Sequence, residues 1–216
     1  TDNRDCVLFM TCLKACPTRS VQLNFRFPAA DILENHRGFP AEVALMLLLF
    51  GGVFMHYSAK ILSWMGWGDL SIDSEHLLIS LPVVTILLSI PFVATYLIHK
   101  LTRLFDPQLP DYLKVIYAYL PMTLGLNLAY YIPAAITEAG KILPTIARSF
   151  GFSGAGLPTL TWSSDVAAFL QGATLLTVFV LSLFPLIKIT QRPFWSNLPH
   201  IGLMSGFMII FFQLMF

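Results

Sequence analysis

Five long stretches of this chain contain no Asp, Glu, Lys or Arg. A stretch of about 20 mostly apolar residues can cross a bilayer as a helix, because each residue rises about 1.5 Å. Four of the five have that length, and the first reaches it when the Lys60 ammonium extends toward the headgroups. The pattern predicts an all-α integral membrane protein with about five transmembrane helices, at 41–62, 76–99, 113–137, 166–188 and 197–216.

The composition agrees with that class. Of the 216 residues, 56% are apolar and 12% are charged, and the mean hydropathy is +0.71. A soluble domain has about 45–50% apolar and about 25% charged residues, so this chain has too little polar surface for a soluble enzyme. Its net charge of +1 argues against binding to nucleic acid.

Proline and glycine mark the irregular parts of the membrane domain. The uncharged interval 149–164 is rich in Gly, Ser and Pro, which predicts a loop rather than a sixth span. A proline inside a helix removes one backbone hydrogen bond and favours a kink. We expect kinks at Pro82, Pro91, Pro121, Pro133 and Pro185.

The basic residues alternate between rich and poor segments. Ten lie before the first span or in the second and fourth connections between spans, and three lie on the other side. The positive-inside rule then places the N-terminus in the cytoplasm and the C-terminus outside. We expect the membrane to be a bacterial inner or photosynthetic one, and the charge rule does not distinguish between these two. Tryptophan prefers the membrane boundary, which agrees with Trp64, Trp67 and Trp162 near the outer face and Trp195 near the inner face.

All three cysteines lie near the start of the sequence, in the string DCVLFMTCLKACP. Bacterial ferredoxins use C-x2-C-x2-C-x3-C-P, in which the fourth cysteine reaches the partner cluster. On that pattern Cys6 is the first ligand, Cys12 the third and Cys16 the fourth. Phe9 occupies the second position, and its side chain cannot bind iron.

This string resembles that of the membrane-bound polyferredoxin family, related to the nitrate-reductase, nitrous-oxide-reductase and cytochrome-oxidase accessory ferredoxins. The resemblance implies a cytoplasmic ferredoxin-like segment at 1–27, a linker at 28–40 and a membrane domain at 41–216. It also implies a 4Fe–4S cluster and electron transfer between a quinone or cytoplasmic donor and a redox partner protein. Since the family has two such motifs, we expect the sequence to be the C-terminal part of a longer protein. The alternative is a decayed motif that holds no cluster.

Other interpretations of the three cysteines remain possible. Cytoplasmic thiols are normally reduced, so the three side chains can be free cysteines. A 3Fe–4S cluster needs three thiolates. In the family, the cysteine at the position of Cys16 binds a different cluster, which argues against a 3Fe–4S cluster here. Zinc held by Cys6, Cys12, Cys16 and His36 has the right number of ligands, although His36 lacks the usual spacing.

Four histidines fall at the ends of predicted spans. His56 and His76 map near the outer face, whereas His99 and His200 map near the inner face. Two imidazoles at one depth can hold a haem between helices. The simpler interpretation places each histidine in the hydrated headgroup zone.

Polar groups inside the spans give no further motif. Asn127, Tyr130, Tyr131 and Gln171 are predicted to bridge helices through hydrogen bonds. Glu138 and Lys141, three residues apart, are expected to pair at a helix end.

Three functions remain open from the sequence. The first is a membrane-anchored iron–sulfur electron-transfer protein without a substrate of its own. The second is a cofactor-free membrane scaffold or assembly factor, and the third is a small-molecule transporter.

Overall fold

The computed structural model describes residues 38–67, 77–159 and 162–216. Every regular element in these residues is a helix. The predicted ferredoxin-like segment at 1–27, with Cys6, Cys12 and Cys16, lies outside the described residues.

Eight α-helices and three short 3-10 turns form the described part of the chain. The helices are α1 (Pro40–His56), α2 (Ser58–Trp64), α3 (Leu77–Phe105), α4 (Tyr112–Ile116), α5 (Leu120–Glu138), α6 (Ile142–Ser149), α7 (Ser164–Thr190) and α8 (Leu198–Met215). The 3-10 turns are Tyr117–Tyr119, Ala139–Lys141 and Phe194–Asn197. Between α6 and α7, the described residues of the predicted loop are non-helical.

In the part of the chain that the structure describes, four helical segments are long and apolar enough to cross a membrane: Ser80–Phe105, Tyr112–Ser149, Ser164–Thr190 and Phe194–Met215. The predicted first span consists of two helices, α1 and α2, whose axes differ by 64° across Tyr57. The pair makes a fifth span if both helices cross together. The predicted all-α membrane class is therefore confirmed.

The lipid-facing surface follows from which apolar side chains are exposed. On α3, the exposed apolar side chains include Leu81, Ile86, Val93 and Leu97. Large apolar side chains on α7, such as Phe184, are exposed in the same way. A soluble protein rarely exposes a continuous apolar surface of this kind, so the chain is an integral membrane protein.

The helices pack around an aromatic centre. The longest interface joins α5 to α7, and α1 packs on both α3 and α5. Between α1 and α8, Phe50 and Phe54 interlock with Phe207 and Phe211, with ring centres 4.7–6.1 Å apart. Offset and edge-on ring pairs add to the packing that holds membrane helices together.

Prolines are accommodated in two ways. Pro82, Pro91, Pro133 and Pro185 lie inside helices. Pro121 instead lies in the first turn of α5, where the missing N–H has no partner to lose. A 3-10 turn ends just before Pro121, and the kink that the sequence predicts at this proline stays a prediction.

Pro133 frees the carbonyl of Ala129 from its normal helical partner. The Gln171 side chain of α7 donates a buried hydrogen bond of 2.9 Å to that carbonyl. An unsatisfied carbonyl is costly in lipid, and neighbouring helices commonly supply the missing donor. Gln171 therefore bridges α5 and α7, as the sequence predicted for a polar residue in a span.

The two ends of the bundle differ in charge. We call the end that carries Lys100, Arg103, Lys114, Lys188 and Arg192 the basic end. The connections after α3 and after α7 meet there, because Arg192 binds the carbonyl and side-chain oxygens of Gln108 at 3.0 and 2.6 Å. The start of α1 lies at the same end, since Tyr117 donates a hydrogen bond of 2.5 Å to Glu42.

At the opposite end, Lys60 of α2 donates a hydrogen bond of 3.1 Å to the Leu214 carbonyl. That carbonyl belongs to the last turn of α8, where a positive charge is favourable. Glu138 and Lys141 form the predicted ion pair at this end, 2.9 Å apart and exposed.

Asp106 links α3 to the turn before α8. It accepts hydrogen bonds from the Ser196 hydroxyl at 2.7 Å and from the Gln108 N–H at 3.1 Å, and Arg192 lies 3.5 Å away. The Ser196 hydrogen bond is the main cause that lowers the pKa of Asp106 from its ordinary value of 3.8. Gln108 and Arg192 lower that pKa further, while burial opposes them.

Acid should therefore weaken this connection. A carboxylate with a lower pKa in the folded state stabilises the fold above its unfolded pKa, and the contribution is lost as pH falls through the folded pKa. We expect Asp106→Asn to lower the thermal unfolding temperature at neutral pH. The difference from wild type should shrink as pH falls below 3.8.

Thermal unfolding of wild type, Asp106→Asn and Ser196→Ala in detergent, measured across pH, checks this expectation. Ser196→Ala removes the main donor, so it should reproduce part of the loss at neutral pH. A difference between wild type and Asp106→Asn that stays constant through the acid range would contradict it.

Candidate functional site

Two histidines meet inside the bundle near the basic end. His99 lies late in α3, and His200 lies in the first turn of α8. Their ring centres are 5.8 Å apart and the ring planes are inclined by 60°. The exposed fractions are 2% for His99 and 0% for His200, which places both in the protein interior rather than at a hydrated helix end.

Tyr119 fixes the orientation of one ring. Its hydroxyl lies 2.9 Å from Nδ1 of His200, and both side chains are fully buried. Tyr119 closes the 3-10 turn between α4 and α5, which packs against α7. The tighter turn interrupts the predicted third span and gives this tyrosine its position.

A second tyrosine lies beside the other histidine. The Tyr112 ring meets the His99 ring edge-on, with centres 5.4 Å apart. Its hydroxyl is 2.9 Å from the hydroxyl of Thr95, one turn before His99 in α3. We call His99, His200, Tyr112, Tyr119 and Thr95 the histidine–tyrosine cluster.

Three ring nitrogens of the cluster have no hydrogen-bond partner within the described residues. They are Nδ1 and Nε2 of His99 and Nε2 of His200. Most buried polar atoms in native proteins have a partner, so each exception needs an explanation, such as an ion or an ordered water. The histidine pair is therefore the most unusual polar feature of the described bundle.

The other predicted histidines do not join this pair. His56 is exposed at the opposite end, where its ring stacks on Tyr130 with centres 4.0 Å apart and nearly parallel planes. Tyr131 meets the same ring edge-on. His76 lies outside the described residues, so its predicted pairing with His56 stays a prediction.

The cysteine ligands also stay a prediction. Cys6, Cys12, Cys16 and His36 all precede the first described residue. Within 38–67, 77–159 and 162–216, no three His, Cys, Asp or Glu side chains are grouped so as to hold a metal ion. Among the histidines of these ranges, His99 and His200 are buried and His56 is exposed.

Asn127 behaves as the sequence predicted for an intramembrane amide. It donates hydrogen bonds to the Leu49 carbonyl of α1 at 3.2 Å and to the Thr123 carbonyl of its own helix at 2.8 Å. The amide thus joins α5 to α1 and has a structural role.

Sequence reasoning missed Tyr112, Tyr119 and Thr95 as partners of the histidines. A usable signal was present, because Tyr112 and Tyr119 lie near the start of the third predicted span, at the same side as His99 and His200. Aromatic hydroxyls at one depth with two histidines are natural hydrogen-bond partners.

No protein-family model, curated protein or solved structure matches this chain. The resemblance of residues 6–17 to the polyferredoxin motif therefore stays a prediction from sequence.

Proposed function

We propose that this chain is a membrane-anchored electron-transfer protein that binds an iron–sulfur cluster through its N-terminal cysteines. The main observation in favour of this proposal is that all three cysteines lie in the C-x5-C-x3-C-P string and none lies in the rest of the chain. Cysteine thiolates at close spacing followed by proline are the ligands that ferredoxin clusters use. In this proposal Cys6 and Cys12 bind one cluster and Cys16 reaches a second.

The described helices support an anchoring role. The N-terminal segment continues into α1 at the basic end, where Glu42 binds Tyr117. A cluster carried on that segment would join the bundle at the end that holds the histidine–tyrosine cluster. Electrons would pass from a quinone or a cytoplasmic donor to a redox partner protein docked at the membrane.

Phe9 favours a second candidate function. A phenylalanine in the second ligand position leaves the string one thiolate short. In the second candidate function, the chain is a cofactor-free scaffold that retains the spacing of the ferredoxin motif and uses the helical bundle to hold partner proteins. The two candidates differ in one measurable quantity, the amount of iron and acid-labile sulfide per chain.

Replacing Cys12 separates the two candidates. We expect the full-length gene product, purified anaerobically in detergent, to contain iron and acid-labile sulfide and to give an EPR signal after reduction with dithionite. Cys12→Ser should abolish the signal because it removes a cluster ligand. Thr11→Ser, at the neighbouring position, should keep it.

Phe9→Cys provides a complementary test. It restores the second ligand of the motif, so iron and sulfide per chain should rise relative to the wild type. Folded protein without iron and sulfide would refute the electron-transfer proposal and leave the scaffold.

A further inference from the structure

The buried histidine pair carries three ring nitrogens that have no hydrogen-bond partner within the described residues. Three imidazole nitrogens without partners are enclosed where neither ring reaches solvent. A buried nitrogen lone pair or N–H group without a partner is unfavourable in a low-dielectric interior. An ion or a water molecule held between the rings would remove that penalty.

The spacing of the rings agrees with a shared ion. Metal–nitrogen bonds of about 2.0–2.1 Å place the centres of two imidazoles on one ion roughly 5–6.5 Å apart, depending on the angle. The observed separation of 5.8 Å falls in that range. We propose that His99 and His200 bind one first-row transition-metal ion inside the membrane domain.

Tyr119 is suited to act as the positioning residue of this site. A metal-bound histidine usually donates its second N–H to a hydrogen-bond acceptor, which fixes the ring and its tautomer. The Tyr119 hydroxyl lies 2.9 Å from Nδ1 of His200. With the proton on Nδ1, the Nε2 lone pair, which has no partner, is free to bind the ion.

The chemistry of the donors selects the class of ion. Imidazole nitrogen suits zinc, copper, iron and nickel, whereas magnesium and calcium prefer oxygen ligands. Two protein ligands leave the remaining coordination positions to small molecules such as water.

A haem suits this site less well than a single ion. A porphyrin between the rings needs a wide flat slot beside them. The Tyr112 ring lies 5.4 Å from His99 and the Tyr119 ring lies 6.0 Å from His200, which fills the adjoining space. The proposal is independent of the iron–sulfur cluster, since no cysteine contributes to it.

The test uses the full chain with Cys6, Cys12 and Cys16 replaced by serine, so that cluster iron does not contribute. Metals are counted by mass spectrometry after purification in detergent, and chelator-treated protein is then titrated with Zn²⁺. We expect binding of about one Zn²⁺ per chain. His99→Gln and His200→Gln should abolish it, while His56→Gln, at the opposite end, should keep it.

A milder variant covers the case in which a buried histidine replacement prevents folding. Tyr119→Phe keeps the ring and removes only the hydroxyl, so it should weaken Zn²⁺ binding roughly 10–100-fold. Elution as a single species and a helical circular dichroism spectrum establish folding for each variant.

Three results would overturn the proposal. The first is folded protein that binds no Zn²⁺. The second is Zn²⁺ binding that survives both histidine replacements and Tyr119→Phe. The third is a haem absorption band that disappears in His99→Gln, which would assign the site to a porphyrin.

Discussion

Gly125→Ala should destabilise the bundle by about 1–3 kcal/mol, the usual cost of overpacking a tight interface. Gly125 of α5 faces α7 across the longest helix interface of the bundle. A Cβ atom there would lie 2.0 Å from Cγ1 and 2.7 Å from Cβ of Val178. Valine is stiff about χ1 and cannot turn aside, so the two helices must separate. Thermal unfolding in detergent measures the loss.

A second replacement tests the cause. Val178→Ala removes both methyl groups but keeps the Cβ atom 2.7 Å away, so Gly125→Ala with Val178→Ala should recover part of the stability that Gly125→Ala loses. Gly206→Ala on α8 is the control, because nothing lies within 4 Å of its added Cβ. Equal losses from Gly125→Ala and Gly206→Ala would show that the α5–α7 contact is not the cause.

Gly51→Ala should cause a comparable loss of stability. Replacing a neighbouring side chain should not restore that stability. Its Cβ would lie 2.6 Å from the carbonyl oxygen and 2.8 Å from Cα of Leu88, both backbone atoms of α3. Small residues at such contacts let membrane helices approach closely. The only relief is to move α1 away from α3, which also disturbs the aromatic centre formed with α8.

The adjacent glycine provides a matched control. Gly52→Ala places its Cβ where nothing lies within 4 Å, and alanine is the better helix former. We expect Gly52→Ala to unfold at or slightly above the wild-type temperature. Adding Leu88→Ala to Gly51→Ala should give no recovery. A recovery comparable with that from Val178→Ala would mean that a side chain, rather than the backbone, limits the approach.

The sequence predicted the membrane helices well because a span depends on length and charge alone. It did not predict the break at Tyr57 or the 3-10 turn at Tyr117–Tyr119. Both depend on tertiary contacts that a pattern of apolar residues does not contain. Tyr57 has no proline or glycine neighbour that would signal the bend.

Links between residues were harder to predict than the residues themselves. Pro133 and Gln171 each stand out in the sequence, but their connection through the Ala129 carbonyl needs the register between α5 and α7. Likewise, helix direction placed His99 and His200 at one end, whereas their contact and the role of Tyr119 follow from packing. A two-letter pattern of polar and apolar residues carries no information on register.

The bend between α1 and α2 has a consequence for the thickness of the surrounding bilayer. The 17 residues of α1 with the inclined α2 reach about 30 Å along the α1 axis, close to the thickness of the hydrocarbon core. The 29 residues of α3 and 27 of α7 are longer and can adapt by tilting. In a thicker bilayer the α1–α2 pair falls short before α3 and α7 do. Hydrophobic mismatch would then act on Lys60 and on its contact with the end of α8 before it affects those two longer helices.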